Sequence, residues 1–139
     1  MSLLPEQADA LRELQAVCRE SQVDVVIISA IALRVWLADD YRATEDVDAA
    51  LALDLDEFPK VTTQLEALGW RQDSRREHRW YSKRRARFDL LPIGERTRQA
   101  QQIFWPRGET RMRVRTPKWM RSIDFFSVSA ILIFRCRLV

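Results

Sequence analysis

The chain has 139 residues, the usual size of one domain, and 47% are hydrophobic while 31% are charged. This composition supports a buried core and excludes collagen-like, coiled-coil and disordered chains. The net charge of +3 is unevenly placed, because residues 1–57 hold 4 Arg and 13 acidic residues, whereas residues 58–139 hold 19 basic and 7 acidic residues. This asymmetry suits a metal site that faces a polyanion, and it suits two solvated faces equally well.

The cysteines and the hydropathy pattern bear on the compartment. Cys18 and Cys136 are not spaced as metal ligands, and we interpret them as reduced thiols of a cytoplasmic protein, with a disulfide between them as the alternative. The sequence does not open with a basic-then-apolar signal pattern. The apolar run 123–139 contains three charged residues, and its longest uncharged stretch, 125–134, is too short to span a bilayer. We therefore expect a cytoplasmic protein without a membrane segment.

The first half of the chain predicts alternating helices and strands. Apolar residues at three- and four-residue steps predict an amphipathic helix over residues 5–20, with Pro5 in its first turn. The β-branched run at 24–29 predicts a buried strand, and residues 30–38 predict a helix that leads into a polar loop. Residues 46–54 alternate in polarity, which predicts a further strand.

The second half predicts a helix and then several strands. The helix covers residues 56–68, with Asp56 as its N-cap and Gly69 as its C-terminal stop. The later elements are predicted to be strands at 70–73, 79–83 and 87–92, a helix at 94–104, a strand at 111–116 and a helix at 127–138. This order predicts one α/β domain over residues 1–139, a mixed sheet with helices covering at least one face.

Two aspartates on the strand at 46–54 are the first candidates for chemistry. Asp46 and Asp48 point to the same face, at a Cα separation of roughly 6.5–7 Å. Side chains at that spacing can converge on hard cations such as Mg²⁺, which bind carboxylate oxygens, water and phosphates. Two such ions roughly 4 Å apart can activate an attacking oxygen and stabilise a leaving one.

A third carboxylate, Asp89, lies among apolar residues in the strand predicted at 87–92. An isolated acid in such surroundings is costly unless it is paired, bound to a ligand or exposed at a strand end. The functional interpretation is a third metal ligand. The structural alternative is a salt bridge to Arg85, Arg87 or another of the nearby arginines.

Four elements follow one another between residues 23 and 92. They are a buried strand, the turn Ser29-Ala30, the segment Arg-Ala-Thr-Glu-Asp-Val-Asp at 42–48, and a later strand that carries Asp89. In this order they resemble the nucleotidyltransferase superfamily, and within it the AbiEii-like and minimal nucleotidyltransferase-like proteins of bacterial toxin–antitoxin systems. Weaker similarity continues towards residue 135. The resemblance implies an α/β (α+β) nucleotidyltransferase-like fold, a mixed β-sheet flanked by helices.

The resemblance also implies a site and an activity. Asp46 and Asp48 would bind Mg²⁺ (or Mn²⁺), and Asp89 would complete the triad and help to activate the attacking hydroxyl. The residues implied to contact the nucleotide are Ser29, Ala30, Arg42 and Thr44. In the structural alternative Thr44 is a cap and Arg42 a surface residue. The implied reaction transfers a nucleoside monophosphate from an NTP to a hydroxyl of RNA or protein, in a toxin–antitoxin or phage-defence system.

The sequence departs from this family at the turn Ser29-Ala30, where the family has Gly-Gly or Gly-Ser. Glycine lets backbone N–H groups approach a triphosphate at a helix N-terminus, whereas Cβ atoms crowd it. The alternative function is therefore a catalytically weak module that binds RNA or a partner protein. The domain is also expected to lack the helical C-terminal extension of its relatives, so residues 125–139 would contact an antitoxin or a second copy.

A basic segment at 71–87 is interleaved with aromatic residues. Basic side chains hold phosphates and aromatic rings stack on unpaired bases, which predicts contact with an RNA acceptor. The predicted contacts are Arg75, Arg76, Arg79, Lys83, Arg84 and Arg85. The alternative of equal weight is a β-hairpin with its aromatic rings in the core and its arginines in water. His78 is interpreted as a solvated turn residue and not as a catalytic base.

Overall fold

The structure is a computed structural model, and it describes residues 4–28, 46–107 and 111–113. The helices are α1 (Pro5–Glu20), α2 (Pro59–Ala67) and α3 (Glu95–Ala100), with a 3₁₀ turn at Leu55–Glu57. The strands are β1 (Val25–Ile28), β2 (Asp46–Leu51), β3 (Arg71–Gln72), β4 (Arg79–Tyr81), β5 (Arg87–Pro92), β6 (Gln102–Phe104) and β7 (Arg111–Arg113).

Five of these strands form one mixed sheet in the order β1-β2-β5-β4-β3. The central pair, β2 and β5, is parallel, and the remaining pairs are antiparallel. Strands β6 and β7 form a separate antiparallel pair. The predicted mixed α/β architecture, with a sheet flanked by helices, is therefore confirmed.

One face of the sheet forms the hydrophobic core with α1 and α2. Side chains alternate along each strand, so that Val47, Ala49 and Leu51 of β2 are buried while Asp46 and Asp48 are half-buried. The core residues of the two helices are Ala10, Leu14, Val17, Cys18, Val61 and Leu65. On β2, β4 and β5 this face carries apolar residues, and the charged residues of these strands lie on the other face.

Helix α1 has the bounds that its periodicity predicts. At its N-terminus the backbone N–H of Leu4 donates to Oε1 of the buried Gln7 at 3.1 Å, and Pro5 occupies the first turn. At its C-terminus Gln22 has a φ of 57°, and the N–H of Val23 donates to the carbonyl of Cys18 at 2.8 Å. This reversal ends the helix and directs the chain into β1.

Helix α2 corresponds to the helix predicted over residues 56–68. Its predicted start is wrong, although its predicted end is right. Asp56 lies in the 3₁₀ turn, and α2 begins after Phe58, at Pro59. Pro59 has no N–H to leave unsatisfied, and burial of the Phe58 ring (5% exposed) fixes the entry of the chain. At the other end Gly69 has a φ of +93°, as expected of a residue that terminates a helix.

The helix predicted over residues 94–104 is correct only to Ala100. Gln101 adopts a φ of 57°, and the chain continues as β6, which pairs with β7. Within β6, Ile103 is buried while Phe104 is 53% exposed, which is the alternation of a strand. Pairing with β7, the next strand along the chain, decides the outcome, and the helical periodicity of residues 94–104 does not predict that pairing.

The other predicted elements fall into two groups. The strands at 24–29, 46–54, 70–73, 79–83 and 87–92 are present, most of them one to three residues shorter than predicted. The strand at 111–116 is observed over Arg111–Arg113. The helices predicted at 30–38 and 127–138, the loop at 39–45, and residues 114–116 lie outside the described residues.

Cys18 is a free thiol on the buried face of α1. Burial, reinforced by the charge of Asp24, raises the pKa of this thiol to about 12, so it stays protonated and unreactive near neutral pH. Cys136 lies outside the described residues. In the described part of the chain, no helix has both the length and the apolar character needed to cross a membrane.

Candidate functional site

The face of the sheet away from the helices carries two rows of polar residues, and all of them except Tyr81 are charged. Strand register defines the rows, because residues paired across neighbouring strands project to the same side. The first row, from β2 to β3, is Asp46, Arg87, Tyr81 and Arg71. The second row, from β2 to β4, is Asp48, Asp89 and Arg79. In each row acidic residues lie towards β2 and basic residues towards the β3 edge.

The parallel pairing of β2 with β5 brings the three candidate carboxylates to one place. Asp48 is the direct partner of Asp89, and Asp46 lies two residues earlier on the same face of β2. The sequence placed these residues on strands, and the structure adds the register that makes the strands neighbours. Their roles as metal ligands and catalytic groups stay predictions.

Arg79 is the residue that organises this cluster. Its side chain is only 13% exposed, and its Nε donates to Asp89 Oδ1 at 3.0 Å while its Nη2 donates to Asp89 Oδ2 at 3.3 Å. This two-pronged contact with a carboxylate that is 14% exposed is the strongest geometry an arginine offers. The hydrogen bond to Asp89 raises the pKa of Arg79 above its ordinary value, so the guanidinium is permanently charged.

Asp46 contacts two guanidinium groups, those of Arg79 and Arg87. Arg79 Nη2 lies 3.4 Å from Asp46 Oδ2, and Arg87 Nη1 lies 3.1 Å from Asp46 Oδ1. The contact with Arg87 lacks hydrogen-bond geometry, so the buried Oδ1 atom has no hydrogen bond among the described residues. Asp46 is therefore charge-compensated, although its buried Oδ1 atom accepts no hydrogen bond from the described residues.

The chemistry of the cluster suits a magnesium or manganese ion, but its arrangement is that of an ion-pair network. Three carboxylates on adjacent strands supply the oxygen ligands such cations prefer. Among the described residues, however, no three acidic, histidine or cysteine side chains converge closely enough to hold a metal ion. The Arg79 guanidinium lies between Asp46 and Asp89, so a cation could bind both carboxylates only after Arg79 has moved.

His78 lies in the turn before β4, at the border of the cluster. Its position in a turn is as predicted, but solvation is not, because the side chain is only 20% exposed and its ring centroid lies 6.1 Å from that of Trp105. Burial lowers the pKa of His78, and the charge of Asp89, 4.0 Å from Nε2, only partly opposes this effect. His78 is therefore neutral at pH 7. His78 and Trp105 are far apart in the sequence, so no local sequence pattern predicts their contact.

The basic segment at 71–87 contains the β3–β4 hairpin, and Trp80 within the segment and Trp70 directly before it both face the core. Trp70 and Trp80 are each 2% exposed, so neither ring is available to stack on a base. Asp73 shapes the β3–β4 turn by accepting the backbone N–H groups of Arg75 and Arg76 at 2.9 and 3.0 Å. The arrangement matches the hairpin alternative in the placement of its tryptophans.

The basic residues of this segment separate into three groups. Arg75, Arg76, Lys83 and Arg85 are exposed, Arg84 pairs with Asp9 of α1, and Arg79 is directed into the carboxylate cluster. Ser29, Ala30, Arg42 and Thr44, the predicted nucleotide contacts, lie outside the described residues.

A basic groove adjoins the carboxylate cluster. It has a volume of about 810 Å³, and its charged lining consists of Arg71, Lys83, Arg85, Arg87 and one acid, Glu66. Arg87 belongs to both places, because it lines the groove and contacts Asp46. Arg71 and Arg87 were not among the predicted sites. The alternation of side chains along each strand predicts which face of the sheet they occupy. Which residues lie beside them depends on the register between strands, which the sequence alone does not give.

Comparison with known proteins places the fold. No protein-family model and no curated protein matches the chain. Two solved structures match, each with a TM-score of 0.55 and over 81% of this chain. One is the solution structure of the antibiotic-resistance factor ANT(2'')-Ia, at 15% identity over 54% of its length. The other is a crystal structure of ANT(2'')-Ia in complex with adenylyl-2''-tobramycin, at 16% identity over 57% of its length.

The chain thus spans just over half the length of these structural neighbours. At such low identity the likeness establishes the fold alone, a nucleotidyltransferase-like mixed sheet flanked by helices. The narrower AbiEii-like assignment stays a prediction.

Replacing Arg79 tests whether it stabilises the cluster. Arg79→Met keeps the aliphatic stem but leaves Asp89 partly buried without its partner, so we expect the free energy of unfolding to fall by about 3 kcal/mol. Urea denaturation at pH 7 in the presence of EDTA measures this loss. Arg76→Met, an exposed neighbour, is the matched control and should change the value by less than about 0.5 kcal/mol. Equal effects of the two substitutions would contradict the assigned role.

His78 is the single histidine of the chain, so its titration is directly observable by NMR. We expect a midpoint below the ordinary pKa of about 6.5, because burial disfavours the charged ring. Between the two values the unfolded chain binds more protons, so stability falls as the pH falls through this window. His78→Gln should flatten that dependence. A midpoint above 6.5 would show that attraction to Asp89 outweighs burial.

Proposed function

We propose that this chain is the catalytic part of a metal-dependent nucleotidyltransferase. It would transfer a nucleoside monophosphate from an NTP to a hydroxyl group of an RNA or protein acceptor. The observation that carries the proposal is the register of β2 with β5, which sets Asp48 beside Asp89 within a nucleotidyltransferase-like sheet. Carboxylates on adjoining strands are what phosphoryl-type transfer assisted by two cations requires.

Each cluster residue has a proposed role. Asp46, Asp48 and Asp89 would hold Mg²⁺ (or Mn²⁺), which when bound supplies charge stabilisation at the transferred phosphate. Asp89 would also accept the proton of the attacking hydroxyl as its oxygen bonds to phosphorus and pyrophosphate leaves. Arg79 would withdraw from both Asp46 and Asp89, and its freed donors are suited to phosphate oxygens.

The basic groove favours an anionic acceptor over a cationic one. Four cationic side chains and one carboxylate line it, and Arg87 connects it directly to Asp46. A polyanion such as RNA would therefore lead its terminal hydroxyl towards the carboxylates, whereas a polycation would be repelled. The resemblance to AbiEii-like proteins extends the proposal to a toxin–antitoxin or phage-defence role, with an antitoxin as partner.

Transfer of label from α-³²P-NTPs to RNA or to protein tests the proposed activity. With Mg²⁺ or Mn²⁺ present, we expect labelling by the wild type and a loss of at least about a hundredfold in Asp46→Asn and Asp48→Asn, because loss of outer-shell partners alone typically costs 10–100-fold. Asp56→Asn is the matched control, since Asp56 is exposed and remote from the cluster. Equal labelling by the wild type and both cluster variants would reject the site.

A second candidate function is a catalytically weak module that binds RNA. The position of Arg79 favours it, because a guanidinium between Asp46 and Asp89 neutralises the site without any metal. The turn Ser29-Ala30 favours it further. RNA binding that persists in Asp46→Asn and Asp48→Asn, with no transfer by the wild type, would support the module over the enzyme.

Salt dependence tests the groove under either function. Lys83→Gln and Arg85→Gln should each weaken RNA binding and reduce the slope of log K against log salt by about 1, as expected for one lost phosphate contact. Fluorescence anisotropy at several salt concentrations gives the slopes. Lys60→Gln, an exposed substitution on α2, is the matched control. A slope that changes equally in all three variants would place RNA elsewhere.

A further inference from the structure

Tyr81 is the aromatic residue of the basic segment that does not face the core. It lies on β4, in the row between Arg87 of β5 and Arg71 of β3, and it forms part of the lining of the basic groove. Trp70 and Trp80 are buried, whereas Tyr81 is half-buried, so part of its side chain is open to the groove. The phosphate contacts proposed for the groove use none of this aromatic surface.

The hydroxyl of Tyr81 is already bonded, which fixes the position of the ring. Its Oη donates to Asp73 Oδ2 at 2.9 Å, and Asp73 is held in turn by the backbone N–H groups of Arg75 and Arg76. The bond to Asp73 raises the pKa of Tyr81 above its ordinary value, so the phenol stays neutral and does not repel an anion. Because the single donor of the side chain is used, what Tyr81 offers to a ligand is the surface of its ring.

The neighbouring side chains leave room beside this ring. Adjacent strands of a sheet are about 4.8 Å apart, so side chains of one row would ordinarily stand side by side. Arg87, however, is directed towards β2, where its Nη1 lies 3.1 Å from Asp46 Oδ1, whereas Tyr81 is directed towards Asp73, directly after β3. The two side chains therefore lean in opposite directions, and the space between them belongs to the groove that both line.

The chemistry around the ring is that of a site for an unpaired nucleotide. The four cationic side chains of the groove supply positive charge for phosphates, and an aromatic ring among them supplies a surface for a base. A duplex offers its phosphates but keeps its bases stacked inside, so it cannot use such a ring. Along the row, Tyr81 and Asp46 are two strand spacings apart, roughly 10 Å, so a nucleotide on Tyr81 lies beside the carboxylate cluster.

We propose that the basic groove receives a single-stranded RNA end and that Tyr81 stacks on one of its unpaired bases. Arg71 and Arg87, on either side of the ring, hold the adjoining phosphates, and the RNA end points along the row towards Asp46. This placement rests on the RNA acceptor of the proposed function, to which it adds a requirement for a single strand and a stacking residue. It does not depend on catalysis, because binding needs neither NTP nor metal.

Abasic substitution in the RNA tests the stacking with the wild-type protein alone. Short fluorescein-labelled single-stranded RNAs carry one abasic nucleotide in turn at each position near the 3′ end, and fluorescence anisotropy in EDTA gives their affinities. At one position we expect about tenfold weaker binding, because the stacked base is lost while every phosphate is kept. The series needs no variant to fold.

Tyr81→Leu removes the ring and should weaken binding of the intact single strand about tenfold, while binding of a blunt RNA duplex should not change. Because no phosphate contact is lost, the slope of log K against log salt should stay that of the wild type, unlike the slope of Lys83→Gln. The abasic nucleotide should then cost Tyr81→Leu no further affinity, which assigns the lost base to this ring. Tyr81→Phe is the matched control, since it keeps the ring and should stay within about twofold of the wild type.

The outcomes separate stacking on Tyr81 from the proposed reaction. Abasic RNAs that all bind the wild type as tightly as the intact strand, or unchanged binding of the intact strand by Tyr81→Leu, would overturn the stacking even if label is still transferred from NTPs to RNA. A wild type that binds no single-stranded RNA would also overturn it, whereas transfer of label to a protein acceptor would still support the reaction. Binding that depends on Tyr81, without any transfer of label, would support the stacking and reject the reaction alone.

Discussion

Parallel pairing of β2 with β5 at the centre of the sheet sets Asp48 directly beside Asp89. Like charges at this spacing repel, and burying one side of the strand pair in the core leaves no freedom to separate them. Arg79 on β4 compensates the charge of Asp89, and Arg87 on β5 contacts the neighbouring Asp46. The charge pattern of the whole polar face follows from that pairing, because the compensating groups must come from the strands that adjoin it.

Arg79 and a divalent cation satisfy the same need in different ways. The guanidinium brings one positive charge and a fixed set of donors to Asp89 and Asp46, whereas Mg²⁺ brings two charges and requires oxygen atoms at short distance. Because both require the carboxylates, they exclude each other electrostatically. In the proposed enzyme the ion-pair network is therefore the resting arrangement of the site, and in the weak module it is the permanent one.

Local sequence patterns were enough to predict the elements whose bounds depend on neighbouring residues alone. The bounds of α1, the alternation along β2 and the termination at Gly69 all follow from residue types at fixed spacing. The predictions failed where strand pairing decides, as at Gln101, where pairing of β6 with β7 replaces the end of the predicted helix. The prediction of Asp56 as the N-cap failed because Pro59 and the buried Phe58 determine where α2 begins.

The site shows the same division between residue identity and register. Sequence reasoning selected Asp46, Asp48 and Asp89, and it anticipated an arginine partner for Asp89. It could not select Arg79, because only the antiparallel register of β4 with β5 places that residue opposite Asp89. Among the basic residues of the hairpin, direction along β4 turns Arg79 inward to the carboxylates while Arg75 and Arg76 stay in the exposed turn.

Consecutive residues of strand β4 face opposite sides of the sheet, since Arg79 faces the carboxylates and Trp80 faces the apolar core. His78, the residue before them, lies between Asp89 and Trp105. Its Nε2 lies 4.0 Å from Asp89, and its ring contacts Trp105. Its pKa is therefore sensitive to the charge of the cluster on one side and to the burial provided by Trp105 on the other. Displacing Arg79 would change the electrostatic field at the imidazole, so the titration of this one histidine reports on the state of the cluster.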